Sequence, residues 1–149
     1  MLTPRLATLA LALVCAGCVP WPHSVQIAPT VSGVVLDHGR PAPGVLVHWH
    51  TGDLRPAGDG CRPSPSQVRT DAQGRFHLEG KKDFRTFSMM GDRLIAWRIC
   101  IERDGVIYTG WQARAMGAAP EQVRMRCDFS DGGSAGGGIC RSDDAAGRR

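Results

Sequence analysis

Apolar and polar residues alternate with a period of two along much of this chain, a pattern typical of β-strands that bury one face. The longest such stretch is Arg93 to Arg103 (RLIAWRICIER), whose apolar face carries Trp97. Asp104-Gly105 follows, a dipeptide favoured in two-residue hairpin turns, and Val106 to Trp111 predicts the returning strand. We therefore expect a long hairpin, with Trp97 as the large residue around which a sandwich closes.

Two shorter pairs of strands are predicted before this hairpin. Val31 to Asp37 and Val45 to His50 are rich in β-branched residues and flank a segment dense in turn formers. Val68 to Thr70 and Arg75 to Glu79 flank Asp71-Ala72-Gln73-Gly74, which has Asp and Gly at the positions that a type I turn prefers. We expect each pair to form a hairpin.

The last predicted strand is Gln122 to Phe129, which follows a predicted loop from Gln112 to Glu121. Ser130 to Gly138 is rich in glycine and predicts a flexible segment. No stretch after the first twenty residues shows a convincing amphipathic helical repeat, so the predicted fold class is all-β.

Three motifs carry a family resemblance: Ser32-Gly33-x-Val35, Gly39-x-Pro41-x-Pro43-Gly44-Val45-x-Val47 and Thr70-Asp71-x-x-Gly74-x-Phe76. Together they resemble the carboxypeptidase regulatory-like modules, which are transthyretin-like (prealbumin-like) β-sandwiches. The resemblance implies a Greek-key sandwich of about seven strands. It also implies an accessory or binding module without catalytic residues.

The amino-terminal residues have the order of a secretory signal: Arg5, an apolar run from Leu6 to Val14, and then small residues. The run is too short for a permanent membrane span. Cys15-Ala16-Gly17-Cys18 resembles the lipobox of bacterial lipoproteins, which implies cleavage before Cys18 and its lipidation. Val19 stands where Asp would favour inner-membrane retention, so the resemblance implies the outer membrane. An ordinary secretory signal with a chance cysteine is the alternative.

These observations divide the chain into four segments. Residues 1–17 are the predicted signal peptide, and residues 18–30 are the lipidated cysteine and an extended, Pro-rich tether. Residues 31–129 are the predicted β-sandwich domain, and residues 130–149 form a Gly-rich polar tail.

The charge pattern argues against nucleic acid as a partner. The net charge of the 149-residue chain is only +4, and the Arg residues are scattered rather than clustered. Apart from Cys15 and Cys18, four cysteines remain, and an even number in an exported protein predicts two disulfides. We favour Cys61–Cys100 with Cys127–Cys140, because Cys100 is predicted to face outward and Cys127 inward. The other two pairings stay open.

His48 and His50 are the candidate metal ligands. Alternation places Val45, Val47 and Trp49 on the core side and both histidines on the outer face of one strand. Two imidazoles at this spacing can bind Zn or Cu if a third ligand arrives, and His38 and His77 are candidates. The alternative is two solvated histidines.

The predicted function is therefore a lipoprotein on the periplasmic face of the outer membrane that serves as a non-catalytic binding or structural module. The expected partner is an envelope protein or a glycan, and no cofactor is expected. A periplasmic Zn or Cu protein that uses His48 and His50 is the alternative function.

Overall fold

The computed structural model describes residues 23–51, 61–85, 94–131 and 138–143. These residues form strands and turns, which confirms the all-β prediction. In chain order the strands are β1 (His23–Ala28), β2 (Thr30–Asp37), β3 (Arg40–Pro41), β4 (Leu46–Thr51), β5 (Gln67–Arg69), β6 (Arg75–Leu78), β7 (Lys81–Arg85), β8 (Leu94–Arg103), β9 (Val106–Met116), β10 (Gln122–Asp128) and β11 (Cys140–Ser142).

Two sheets pack face to face and form a β-sandwich. The first sheet has the order β11-β10-β2, and both β3 and β6 pair with the other edge of β2. The second sheet has the order β5-β4-β8-β9. β2 and β10 run parallel, and the other neighbours are antiparallel. Side chains from both sheets form the main core, and its fully covered members include Val31, Val35, Val47, Ile99, Ile101 and Cys127.

The chain crosses from one sheet to the other at the two turn-rich segments. After β2 and β3, Ala42 to Val45 carry the chain to β4 in the second sheet. The Asp71–Gly74 turn forms, with the Gly74 N–H donating to the Asp71 carbonyl at 2.9 Å, but β5 pairs with β4 whereas β6 pairs with β2. The prediction that these strands form two hairpins was therefore wrong. Turn residues determine where the chain reverses, but they do not determine which strand the next segment pairs with.

Thr70 joins these two crossings. Its hydroxyl donates to the Ala42 carbonyl at 2.8 Å and accepts from the Val45 N–H at 2.9 Å. Its backbone N–H donates to the Val45 carbonyl, and its carbonyl accepts from the Gly44 N–H. Thr70 is itself buried, so all these bonds are made away from water. They hold the segment from Ala42 to Val45 and the segment that contains Thr70 side by side at one end of the sandwich.

Two motif glycines are required by close packing. A Cβ on Gly33 would lie 2.4 Å from the Met125 carbonyl oxygen of β10 and 2.9 Å from the Phe76 ring. Gly74 has a φ of +71°, and a Cβ there would lie 2.4 Å from the Val35 carbonyl oxygen. Side chains at either position would push strands of the first sheet apart. The motif glycines are thus explained by packing rather than by chemistry.

β9 continues past its predicted end at Trp111. Gln112 to Met116, predicted as part of a loop, extend the strand and pair with β8 from Leu94 to Arg98. Alanine and glutamine have weak intrinsic strand preference, so their composition favoured a loop. Pairing with a long neighbouring strand outweighs that preference.

A β-bulge at Gly110 changes the register of this hairpin. Cys100 pairs with Thr109, but the next pair is Ile99 with Trp111, so Gly110 is the extra residue on β9. A Cβ on Gly110 would lie 2.9 Å from the Cys140 sulfur. The bulge therefore lies directly under the carboxy-terminal segment.

Part of the predicted tether belongs to the folded domain. His23 to Ala28 form β1, which pairs with β7 in a separate two-stranded ribbon, and Ala28 is fully buried. Val25 and Ile27 alternate with the polar residues Ser24 and Gln26, which is a strand pattern, but the nearby prolines favoured an extended tether in the sequence analysis. The predicted tail differs as well, since Cys140–Ser142 form β11 against β10. Residues 18–22 lie outside the described residues.

Replacing Thr70 with Val tests whether the crossings depend on its hydroxyl. We expect T70V to lower the free energy of unfolding by about 2–4 kcal/mol, because the buried Val45 N–H and Ala42 carbonyl both lose a partner. Urea unfolding followed by tryptophan fluorescence measures this change. T70S keeps the hydroxyl and is the control, with an expected loss of about 1 kcal/mol for one methyl group. Equal losses in T70V and T70S would contradict the assignment.

Candidate functional site

The segment from Cys61 to Ser66 lies across the outer face of the second sheet. A disulfide joins Cys61 to Cys100 of β8. The Ser64 hydroxyl donates to the Trp49 carbonyl of β4 at 2.8 Å. This segment therefore covers a sheet face that the sequence pattern predicted to be exposed.

His48 is buried under that segment, contrary to the prediction that it is solvated. Its side chain is 1% exposed. Nδ1 accepts from the Ser64 backbone N–H at 3.2 Å, and Nε2 lies 2.7 Å from Oε2 of Glu102. Because a backbone N–H can only donate, the ring proton lies on Nε2 and is donated to Glu102. The alternation of β4 remains correct for Val45, Val47 and Trp49, which are all buried.

The described residues bring no third ligand to His48 and His50. His50 Nε2 donates to the Arg62 carbonyl at 2.9 Å. His38 lies beside Asp37, and His77 beside Glu79. In the described ranges, no group of three or more His, Cys, Asp or Glu side chains is placed to hold a metal ion. The Zn or Cu hypothesis thus has no support beyond the two histidines themselves.

Ser64, His48 and Glu102 are the residue types of a catalytic triad, but their contacts differ from those of one. The Ser64 backbone, not its hydroxyl, contacts His48. The hydroxyl donates to Trp49 and accepts from the Ser66 N–H at 3.2 Å. An imidazole that does not accept the serine proton cannot activate the serine as a nucleophile. This cluster is therefore a satisfied structural network.

The cysteine pairing in the structure is the one that the sequence analysis favoured. Besides Cys61–Cys100, a disulfide joins Cys127 of β10 to Cys140 of β11. It links adjacent strands, and it holds the segment that packs on the β9 bulge, where the Ile139 N–H donates to the Thr109 carbonyl at 3.0 Å. Cys18, the predicted lipidation site, lies outside the described residues.

The clearest candidate for ligand binding is an apolar cavity of about 670 Å³ near one end of the sandwich. Its walls come from the far halves of β8 and β9, the turn before β10, and the start of β10. Trp97 and Trp111 form a tilted pair there with ring centroids 6.2 Å apart. The remaining apolar lining consists of Ala113, Ala115, Ala118, Ala119, Pro120 and Val123. This volume and composition are typical of small-ligand sites.

Trp97, which lines this cavity, carries a buried indole N–H. The residue is 2% exposed, and its indole N–H, which is itself covered from solvent, has no hydrogen-bond partner among the described residues. A buried donor left unpaired costs about 1–3 kcal/mol. Arg114, Gln122 and Ser142 also line the cavity. A ligand with an apolar body and a polar or anionic group that reaches Arg114 would complement this wall.

Sequence reasoning selected Trp97 but assigned it to the main core. The structure places it instead in a separate cluster with Ile95 and Ala119, next to the cavity. The signal that was missed is the alternation of Trp111, Ala113 and Ala115, whose side chains pack against that cluster. Large aromatic residues opposite alanines across a hairpin leave space, but the bulge at Gly110 decides which residues of β9 lie opposite Trp97.

Comparison with known proteins gives one match. A family model described as "Domain of unknown function (DUF6795)" matches residues 31–130. The searches of curated proteins and of solved structures found no match. In the described part of the chain, no helix has the length and apolar character needed to span a membrane.

His50 predicts a pH dependence of stability. Burial lowers its pKa below the ordinary 6.5, although the hydrogen bond to the Arg62 carbonyl acts in the opposite direction. Near and below pH 6.5, His50 therefore binds more protons in the unfolded chain than in the folded chain. Its contribution to stability is complete above pH 6.5 and is lost as the pH falls through the lower pKa of the folded state. We expect the melting temperature to fall between pH 7 and pH 5.

The variant H50Q should reduce this pH dependence, since glutamine offers an N–H to Arg62 but does not titrate. The pKa values of Asp37 and Asp128 lie below 3.8, so these carboxylates do not titrate in this range. H77Q, which removes an imidazole with 55% of its side chain exposed, is the control. A pH dependence that H50Q leaves unchanged would contradict the assignment.

Proposed function

The chain belongs to the DUF6795 family, described as a domain of unknown function, and from this premise we propose that it is an envelope lipoprotein whose β-sandwich is a non-catalytic binding module. The observation that carries the binding role is the apolar cavity beside the unpaired Trp97 N–H. The partner in this proposal is an envelope protein or a glycan, and no cofactor takes part.

The proposed location depends on the first nineteen residues. The short apolar run, the Cys15-Ala16-Gly17-Cys18 lipobox and Val19 support a lipid anchor in the outer membrane. The two disulfides of the folded domain agree with an oxidising compartment such as the periplasm. The resemblance to carboxypeptidase regulatory-like modules supports an accessory role for the sandwich.

The chemistry of the cavity limits what it binds. Two indole rings and several small apolar residues favour an apolar group or the apolar face of a sugar ring. The Arg114 side chain favours a ligand that also carries an acceptor oxygen. None of the described residues that line the cavity is acidic, so a cationic ligand is not favoured there.

The variant A113L tests the cavity. Ala113 lies opposite Trp97 across the β8–β9 hairpin and lines the cavity, so a leucine side chain would occupy the space beside the Trp97 ring. With the neutral dye N-phenyl-1-naphthylamine as the probe, we expect A113L to weaken binding about tenfold, which corresponds to about 1.4 kcal/mol of lost contact. Dye fluorescence and energy transfer from tryptophan measure the affinity.

A113S is the matched control, because serine adds only one atom and should leave the affinity within about twofold. The wild-type far-ultraviolet spectrum in both variants would show that the fold is retained. Equal dye binding by wild type and A113L would exclude this cavity as the site.

The anchor has its own test. We expect wild-type protein in the outer-membrane fraction, labelled by radioactive palmitate, and globomycin should cause the uncleaved precursor to accumulate. C18A should abolish the label and the cleavage, because the thiol that receives the diacylglyceryl group is gone. V19D should move the protein to the inner membrane. Unlabelled wild-type protein that is free in the periplasm would contradict the anchor.

A further inference from the structure

A second concave surface lies at the end of the sandwich where the chain crosses between the sheets. It is a groove of about 520 Å³, and the Thr70 hydrogen bonds hold its wall in place. The wall is the loop from Pro41 to Leu46, and the groove is completed by Arg69 of β5 and by the end of the β8–β9 hairpin from Glu102 to Asp104. It does not share a lining residue with the apolar cavity.

The loop wall offers no free backbone donor from Pro41 to Val45. Pro41 and Pro43 have no N–H. The N–H groups of Ala42, Gly44 and Val45 donate to the Val35 carbonyl, the Thr70 carbonyl and the Thr70 hydroxyl respectively. An anion would find no backbone N–H group on this wall. The carbonyls of Ala42, Gly44 and Val45 also have partners, since they accept from the Thr70 hydroxyl, the Arg69 guanidinium and the Thr70 N–H. The choice of ligand therefore depends on the charged side chains of the groove.

Most charged groups of the groove already have partners. Arg103 pairs with Asp37 at 2.8 Å and with Asp104 at 3.5 Å, and its guanidinium also lies over the Phe129 ring. The second Asp37 oxygen contacts His38 at 2.8 Å. Arg69 donates to the Gly44 carbonyl. Asp37 and Asp104 are thus paired with Arg103, and the remaining carboxylate of the groove is that of Glu102.

Glu102 has one oxygen fixed and the other available. Oε2 accepts the Nε2 proton of the buried His48 at 2.7 Å, which orients the carboxylate, and the side chain is 26% exposed. Among the described residues, no Arg or Lys forms an ion pair with Glu102, and no hydrogen bond reaches Oε1. Oε1 is therefore the acceptor atom that this carboxylate offers to a ligand.

We infer that this groove is a recognition site for a primary ammonium group, of the kind that a lysine side chain of a protein partner carries, with Glu102 Oε1 as its charged acceptor. A guanidinium prefers to bind both oxygens of a carboxylate, and His48 already occupies one of them. A compact ammonium can bind a single oxygen and direct its other protons to solvent. His48 is thus a positioning residue for Glu102.

Amide NMR spectra of the ¹⁵N-labelled protein test this site. With n-butylammonium as the probe, we expect saturable shifts of the amides of residues 42, 44–46 and 102–104. E102Q should weaken binding about tenfold, because the amide has no charge to offer. n-Butylguanidinium should bind about tenfold more weakly than n-butylammonium to the wild type.

D104N is the matched control. It removes the same unit of negative charge from the groove, but Asp104 is 89% exposed and is not held by a buried partner. Its affinity should stay within about twofold of the wild type, because screening by water and salt weakens an exposed charge. Equal losses in D104N and E102Q would overturn the specific role of Glu102, as would an absence of saturable shifts in the wild type.

A second variant keeps the proposal testable if E102Q does not fold. Leu46 lies directly opposite Glu102 in the β4–β8 register, so L46K would place an ammonium of the chain itself beside the carboxylate. We expect L46K to compete with the probe and to abolish its binding, and unchanged binding would overturn the proposal. The peptide Gly-Lys-Gly should bind like butylammonium. Binding of glucosamine without binding of the peptide would overturn the assignment to a lysine side chain.

This inference does not depend on the proposed function. A113L changes the apolar cavity and not the groove, whereas E102Q changes the groove and the contact with His48 and not the cavity. Loss of dye binding and loss of butylammonium binding are therefore separate results.

Discussion

The Thr70 hydroxyl joins the two segments that carry the chain from one sheet to the other and back. A β-sandwich whose strands change sheets must bring buried polar backbone through the region between the sheets, and each of those groups needs a partner. Here the side chain of one threonine supplies both a donor and an acceptor to the opposite segment. The position of β4 and β5 relative to β2 and β6 depends on this junction. The groove beside Glu102 is formed by the same segments.

The second constraint is the bulge at Gly110. A one-residue shift in a strand exchanges the residues on its two faces. Without the bulge, Gln112 and Arg114 would face the cluster around Trp97. With it, Trp111, Ala113 and Ala115 face that cluster and line the cavity. The Cys127–Cys140 disulfide holds the segment that packs on the bulge, so the tail and the cavity are structurally connected.

The two candidate sites differ in chemistry as they differ in position. The cavity beside Trp97 combines apolar walls with an unpaired indole N–H, whereas the groove beside Glu102 presents a carboxylate oriented by His48. We propose recognition rather than catalysis for both sites. A module with two such sites can contact one partner at both ends of its sandwich.

The sequence by itself determined the strands, the turns and the faces that need only local information. Period-two alternation located β4, β8 and β10, and β-branched composition located β2. Asp104-Gly105 located the long hairpin, because turn geometry depends on adjacent residues. Only the tertiary structure decided which sheet each strand joins, the burial of His48 under the Cys61 segment, and the register beyond Gly110. These features depend on contacts between residues distant in sequence, so neither the cavity nor the His48–Glu102 pair could be read from local pattern.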